Sequence, residues 1–313
     1  MEKVNQIILI TFALLVQCNF LLSQNPSIFQ YYNSPIILNP ALTGNDQENI
    51  RITSNFRNQW EDLLGYKSGI VTIDRSLGNN TNNYFGIGLM ATGEQVGETN
   101  FSTFNFKPSL SLTKVTNKSE KSKSSISIGS SFGVSQKSID KDKINTPTLE
   151  PNLNSNKWYF DISLGLNFEY IIYQHLNANI GISINHLNKP NISLFSNGIA
   201  NLNRSTNIHA AFETKINESF SLIPNILFFK QSNQSFEIYG LQNRIYFNKK
   251  KLKFLQLGLQ YLPNAIRTVI VNAETRTSKF LVSFSIGRSY FEQNETHTHI
   301  YELGFNYYVK EQF

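Results

Sequence analysis

The sequence predicts an all-β protein: a transmembrane antiparallel β-barrel of about fourteen strands. A signal peptide and a short proline-containing segment are expected before it. Three observations carry this reading: an N-terminal export signal, many runs that alternate apolar and polar residues, and a composition poor in charge. Charged residues make up 16% of the 313, against about 25% in ordinary soluble proteins. Aromatics reach 13%, led by 24 Phe and 14 Tyr. Asn, Ser, Thr and Gln supply most of the polarity, as a lipid face alternating with an uncharged polar lumen requires.

Residues 1–23 read as the signal peptide. Lys3 opens it, Ile7 to Val16 forms a ten-residue apolar stretch, and Leu21-Leu22-Ser23 places a small residue before Gln24. The stretch falls short of the roughly 20 apolar residues of a spanning helix. Cys18 is the only cysteine and lies inside this segment. Its removal would exclude disulfides, thiolate metal sites and cysteine nucleophiles together. A lipoprotein acylated on Cys18 is the rival reading, and Gln17 directly before it fits that poorly.

Residues 24–47 come next. Three prolines between Asn25 and Gly44 exclude a central strand. The apolar residues among them suggest packing in the barrel mouth or lumen.

Residues 48–313 carry the strand pattern. The clearest run is Trp158 to Ile172. Trp158, Phe160, Ile162, Leu164, Leu166, Phe168, Tyr170 and Ile172 fall on one face, with a largely polar set opposite. A tilted membrane strand needs about 9–11 residues, and this run has them. Ile50, Ile52, Phe56 and Trp60 share a face opposite Arg51, Asn55, Arg57 and Gln59. Similar runs centre on Phe106, Ile128, Ile182, Ala210, Ile226, Leu257, Phe284 and Phe305, with fainter ones near 70–75, 85–91, 236–247 and 268–273. The longest connections, 137–157 and 188–204, follow the fifth and seventh runs and therefore share an end. Barrels of outer membranes place long loops outside and short turns in the periplasm. The connection 114–123 is too long for that rule. The final run, Tyr301, Leu303, Phe305, Tyr307 and Val309, leads to Phe313. It resembles the C-terminal signal read by the bacterial barrel-assembly machinery.

No catalytic motif emerges. Gly86-Ile87-Gly88 lacks the strand-to-helix switch of a dinucleotide loop and reads as strand glycines that allow close approach. His297 and His299 lack an evident third metal ligand and read as a loop or strand edge. The net charge of +6 is scattered, apart from runs at 118–123 and 249–253 placed at turns, so no nucleic-acid surface is expected. Lumen charges are expected to be sparse. The sequence therefore points to no enzyme, no cofactor and no metal.

Phe29-Gln-Tyr-Tyr-Asn-Ser-Pro35, Leu38-Asn-Pro-Ala-Leu-Thr-Gly44, Arg51 and Phe56-Arg-Asn-Gln-Trp60 resemble the opening of the PorP/SprF family of the Bacteroidetes type IX secretion and gliding apparatus. Asn39, Pro40, Ala41, Gly44, Arg57, Gln59 and Trp60 match its pattern position by position. Phe56 stands where that pattern has Tyr. Asp74 fits the following Ser-x-Asp, although Thr72 replaces the Ser. Ile286-Gly-Arg-Ser-Tyr290 and Thr298-His-Ile-Tyr-Glu302 are degraded forms of the family's later blocks. The resemblance implies an integral outer-membrane barrel partnered by outer-membrane lipid and type IX secretion components. It also implies a cargo, such as an adhesin, held through a C-terminal sorting domain. The alternatives are a diffusion channel or small-solute transporter on the same fold, and an exported soluble β-protein or enzyme of unknown chemistry.

Overall fold

A computed structural model describes residues 29–46, 49–60, 65–78, 83–97, 99–144, 152–173, 175–247, 252–263, 266–291 and 296–310. The expected signal peptide and Phe313 lie outside them. Fourteen strands form one closed antiparallel barrel in sequential order. They are β1 (Asn49–Gln59), β2 (Tyr66–Leu77), β3 (Asn83–Val96), β4 (Phe101–Lys118), β5 (Ser122–Ser138), β6 (Asn156–Ile172) and β7 (Leu176–Asn185). β8 (Ser205–Asn217), β9 (Phe220–Gln231), β10 (Gln234–Tyr246), β11 (Leu252–Leu262), β12 (Ile266–Thr277), β13 (Phe280–Phe291) and β14 (Thr296–Lys310) complete the wall. β14 closes on β1, with Phe56 opposite Leu303 and Ile52 opposite Tyr307. Closure leaves no sheet edge, the condition for strands to cross a lipid bilayer.

Alternation orients the wall. Along β13, exposed Phe280, Val282, Phe284 and Ile286 alternate with buried Leu281, Ser283 and Ser285. Tyr301, Leu303 and Phe305 face outward on β14, while Glu302 and Asn306 are buried inside. The apolar side is therefore the exposed one, the inverse of a soluble protein and the arrangement a lipid solvent selects.

The ends of the wall differ. The turns 119–121 and 218–219 and the connections 173–175 and 278–279 share one end. The long connections 139–155 and 186–204 lie at the other, which the length rule makes external. The supposed exception at 114–123 disappears. β4 continues to Lys118 past a bulge between Val115 and Asn117, and β5 starts at Ser122, leaving a tight turn. The charge-rich sequence there hid the strand ends.

Described parts of these two connections, 152–154 and 190–202, form one platform. Leu153 and Phe195 form a β-bridge. The Asn154 amide donates to the Leu194 carbonyl at 2.8 Å, and the Ser196 amide to the Asn152 carbonyl at 2.9 Å. Beneath the platform, the buried carboxylate of Asp161 on β6 takes Lys107 Nζ of β4 and, at 2.9 Å, Nδ1 of His186, the first residue after β7. His186 has φ of 57°, so this pairing holds a backbone conformation that side chains disfavour. Asn188 Nδ2 adds a 2.7 Å bond to the Phe160 carbonyl. The platform exposes Phe195 and, at 84%, Ile199.

The lumenal segment as candidate functional site

Residues 29–45 run inside the barrel. They form three short helical turns, Tyr31–Asn33, Pro35–Leu38 and Pro40–Leu42, with prolines at the starts of the last two. Proline is suited there, because its missing N–H has no partner in a first turn anyway. Asn39 caps the third turn through its side-chain oxygen, which accepts the Ala41 amide at 2.9 Å.

The segment starts in the external half. The Arg57 guanidinium, two residues from the external end of β1, lies 3.9 Å over the Phe29 ring. Glu302 of β14 accepts the Phe29 amide at 2.8 Å and the Gln30 amide at 2.9 Å, and its Oε1 also takes Asn55 Nδ2 at 2.9 Å. These are charge-assisted bonds, the stronger kind. Gln260 of β11 donates to the Phe29 carbonyl at 3.2 Å. The Gln30 side chain joins Ser285 and Ser283 of β13.

From there the chain crosses the lumen. Asn33 donates to Glu274 of β12 at 2.9 Å, and Asn306 of β14 donates to the Asn33 carbonyl at 3.1 Å. The Tyr31 hydroxyl reaches Asn225 of β9 at 2.7 Å. The Leu38 carbonyl accepts Ser183 of β7 at 2.8 Å and Asn207 of β8 at 3.2 Å. Asn39 Nδ2 donates to the Leu166 carbonyl of β6 at 2.8 Å and lies 3.2 Å from His209 Nε2 of β8. Thr43 bonds Ser109 and Ser111 of β4, both at 2.7 Å.

Glycines admit the segment. A methyl group at Gly129 of β5 would overlap the Pro40 carbonyl, and one at Gly86 of β3 would overlap the Thr43 carbonyl. The sequence expectation for Gly86 and Gly88 as close-approach glycines matches this packing, with Ile36 and Asp74 beside Gly88.

The segment leaves at the periplasmic end. Gly44 takes a left-handed φ of 66° and donates to Asp74 at 2.6 Å. The same carboxylate receives a two-pronged grip from Arg51, Nε at 3.0 Å and Nη2 at 2.6 Å. Arg51 Nη1 reaches Asn45 at 3.0 Å. Asp74 thus locks β1, β2 and the end of the segment in one knot.

Every wall strand touches the segment, β10 through Phe236 and Ile238 in an apolar cluster with Phe29, Tyr31, Leu38 and Leu42. That cluster also takes Leu227, Leu262, Ile270 and Ile300, all in the external half. It corrects the expectation of a polar lumen wall, since these inward wall residues are apolar. The expectation of few lumen charges is corrected as well. Arg51, Arg57, Asp74, Lys107, Asp161, Glu274 and Glu302 are all buried inside. Enclosure explains both, because a lumen filled by chain is a core, and a core accepts charges only where they are partnered.

The motif residues thus separate by place. Asn39, Pro40, Ala41 and Gly44 belong to the segment, while Arg57 and Asp74 are the wall groups that hold its two ends. Gln59 is buried at the external end of β1, with no side-chain hydrogen bond among the described residues. Trp60 follows with φ of 58°, its ring 5.8 Å from Phe291. Tyr301, Leu303 and Phe305 are exposed to lipid, with Tyr307 and Val309 half-buried on the same face. His297 and His299 belong to β14 and face outward rather than forming a loop or edge, and no metal-holding cluster occurs among the described residues.

Burial extends along the whole height of the lumen. Gln59 and Thr298 near the external end, Asn55 and Ser285 midway, and Thr113 and Ser125 near the periplasmic end are each at most 2% exposed. A water-filled passage would leave such polar groups accessible.

These features define an integral outer-membrane β-barrel whose lumen is filled by its own N-terminal segment. Residues 21–307 match the family described as type IX secretion system membrane protein PorP/SprF, and the chain belongs to that family. No curated protein matches it. Among solved structures it is similar to the CymD monoaromatic hydrocarbon channel, at 12% identity and a TM-score of 0.55 over 92% of this chain and 95% of that one. It is also similar to the toluene transporters TbuX of Ralstonia pickettii (11%, 0.52, 90% and 94%) and TodX of Pseudomonas putida (10%, 0.52, 92% and 98%). At such identities the likeness is one of fold.

Proposed function

We propose that this barrel is a closed docking scaffold of the type IX machinery. It holds a secreted cargo, adhesin-like in kind, by the cargo's C-terminal sorting domain at the external platform, and it performs no catalysis. The observation that carries the reading is the lumen, tied shut by a segment bonded or packed against all fourteen strands. With the axis filled, recognition falls to the external surface. There the joined connections 152–154 and 190–202 present Phe195 and Ile199 on a braced base. Family membership supplies the association with secretion components. The test is a detergent-solubilised affinity pull-down from native outer membranes, with the platform variant Phe195→Ser/Ile199→Ser alongside. Recovery of a large secreted protein by the wild type, lost in the variant, supports the scaffold. Recovery of the barrel alone from intact membranes refutes it.

A second reading, a channel for small apolar solutes, draws on the apolar external half of the lumen around Phe29 and Phe236. It requires the segment to move. Uptake of toluene by vesicles carrying the wild-type barrel would favour it.

A further inference from the structure

Five basic side chains crowd one sector of the lipid-facing wall below its external rim. Lys67 of β2, Arg267 of β12, Arg288 of β13, and His297 and His299 of β14 are all exposed. Each lies within four residues of the external end of its strand. Alternation puts each on the lipid side: Lys67 with Val71 and Ile73, Arg267 with Val269 and Val271, Arg288 with Phe284 and Ile286, the histidines with Tyr301 and Leu303.

Register brings them together across the barrel seam. Arg288 stands opposite His299 on one side and Val269 on the other, and Tyr290 stands opposite both His297 and Arg267. Asn58 of β1 links Tyr301 to Lys67. Directly opposed side chains lie about 5 Å apart and diagonal ones about 7–8 Å, within the reach of Arg and Lys. Lys67 and Arg288 form no ion pair among the described residues. At the corresponding level, β3 to β8 carry Gln95, Ser102, Gln136, Trp158, Ile184 and Thr206, none of them charged. Among the described strands Lys230 of β9 is a further outward cation near that rim and Glu237 of β10 an outward anion, so most of the cations, though not all, gather in this one sector.

Gathering like charges costs free energy unless an anion answers them. On the lipid face a cation costs about 2–4 kcal/mol at the bilayer midplane and about 0–1 near the interface, so these positions suit the headgroup level. Aromatics of an interfacial belt flank them: the His297 ring lies 4.9 Å from Tyr290, and His299 stacks on Tyr301 at 6.3 Å. Lipid phosphates supply anions at the headgroup level, and the planar fork of arginine grips a phosphate in two-pronged fashion. We propose that this sector is a binding site for the phosphate groups of an outer-leaflet glycolipid, with Arg267, Arg288 and Lys67 as the charged ligands and His297 and His299 as hydrogen-bonding partners. The site faces the membrane and is separate from the lumen and the platform.

The test compares wild type with a Lys67→Gln/Arg267→Gln/Arg288→Gln variant. Lys230→Gln is the control, because Lys230 is an outward cation of β9 away from the sector. Each barrel is mixed in detergent with lipid A, with the same lipid A after phosphate removal, or with phosphatidylglycerol, and bound lipid is read by native mass spectrometry. Wild type and Lys230→Gln should retain phosphorylated lipid A, and the triple variant should retain at least about tenfold less, since each cation near an anionic surface contributes roughly fivefold. The dephosphorylated lipid should not be retained by any form. Equal retention by the triple variant, equal binding of dephosphorylated lipid, or a preference for phosphatidylglycerol would overturn the assignment. Heat-dependent gel mobility reports folding; should the triple variant not fold, Arg288→Gln alone is expected to lower retention about fivefold, and no change would overturn the assignment.

Discussion

Glu302→Ala is the sharpest perturbation of the lumenal segment. The carboxylate accepts two backbone amides, from Phe29 and Gln30, and the Asn55 side chain, with bonds of 2.8–2.9 Å, while 1% exposed. Each charge-assisted bond contributes about 1.5–3 kcal/mol. The three share one acceptor and do not add, so the cost is nearer that of breaking a buried charged pair, about 3–5 kcal/mol. Two amides and Asn55 are left in a site that water does not reach. Because the fourteen ladders themselves are untouched, the strain is relieved locally, by release of Phe29 and Gln30 from the wall. Gln30→Cys in a Cys18→Ser background, labelled with a membrane-impermeant maleimide, reads that release. The fully buried position should be protected in the parent and labelled at least about a hundredfold faster with Glu302→Ala, the rate equivalent of about 3 kcal/mol of local opening. Equal protection in both proteins, with unchanged thermal stability, would refute the idea that Glu302 anchors the segment.

Other substitutions probe the remaining contacts. Asp161→Ala strips Lys107 and His186 of their shared partner and should cost about 3–5 kcal/mol; protease should then cut within 186–204 faster than in the parent. Gly129→Val drives side-chain carbon into the Pro40 carbonyl and should destabilise by at least about 1–3 kcal/mol, seen as a lower thermal midpoint. Val271→Arg places a cation on the lipid face midway along β12 and should cost about 2–4 kcal/mol, measured by equilibrium folding into vesicles, whereas Arg288→Val near the rim should leave that equilibrium nearly unchanged.

The wall was legible in the sequence because its two solvents differ so sharply. Phe280, Val282, Phe284 and Ile286 had to alternate with Ser283 and Ser285, and period two is hard to mistake. Strand ends were less legible where charge and serine ran on without interruption, as at Lys114–Lys123. The contents of the lumen were hardest to read. Leu227, Ile270 and Ile300 point inward beside outward Ile226, Val271 and Tyr301, so alternation fades there. That fading was the available sign that the interior is apolar. The wall partners of Asn39 and Asp74 were beyond reach, since the bonds that tie them to other elements span 23 to 170 residues of sequence. What the motif did give was a set of residues at both ends of one tether. His186 and Lys107 around Asp161 carried no sequence signal at all, because three unremarkable polar residues meet only through strand register.

The central claim is that the segment 29–45 closes the barrel. Ion conductance of the purified wild-type protein in planar lipid bilayers, recorded beside the Glu302→Ala variant, tests it most directly. A closed scaffold predicts verified insertion without stepwise current for the wild type, with flickering openings in the variant. Stable, ohmic steps from the wild-type barrel would contradict the claim.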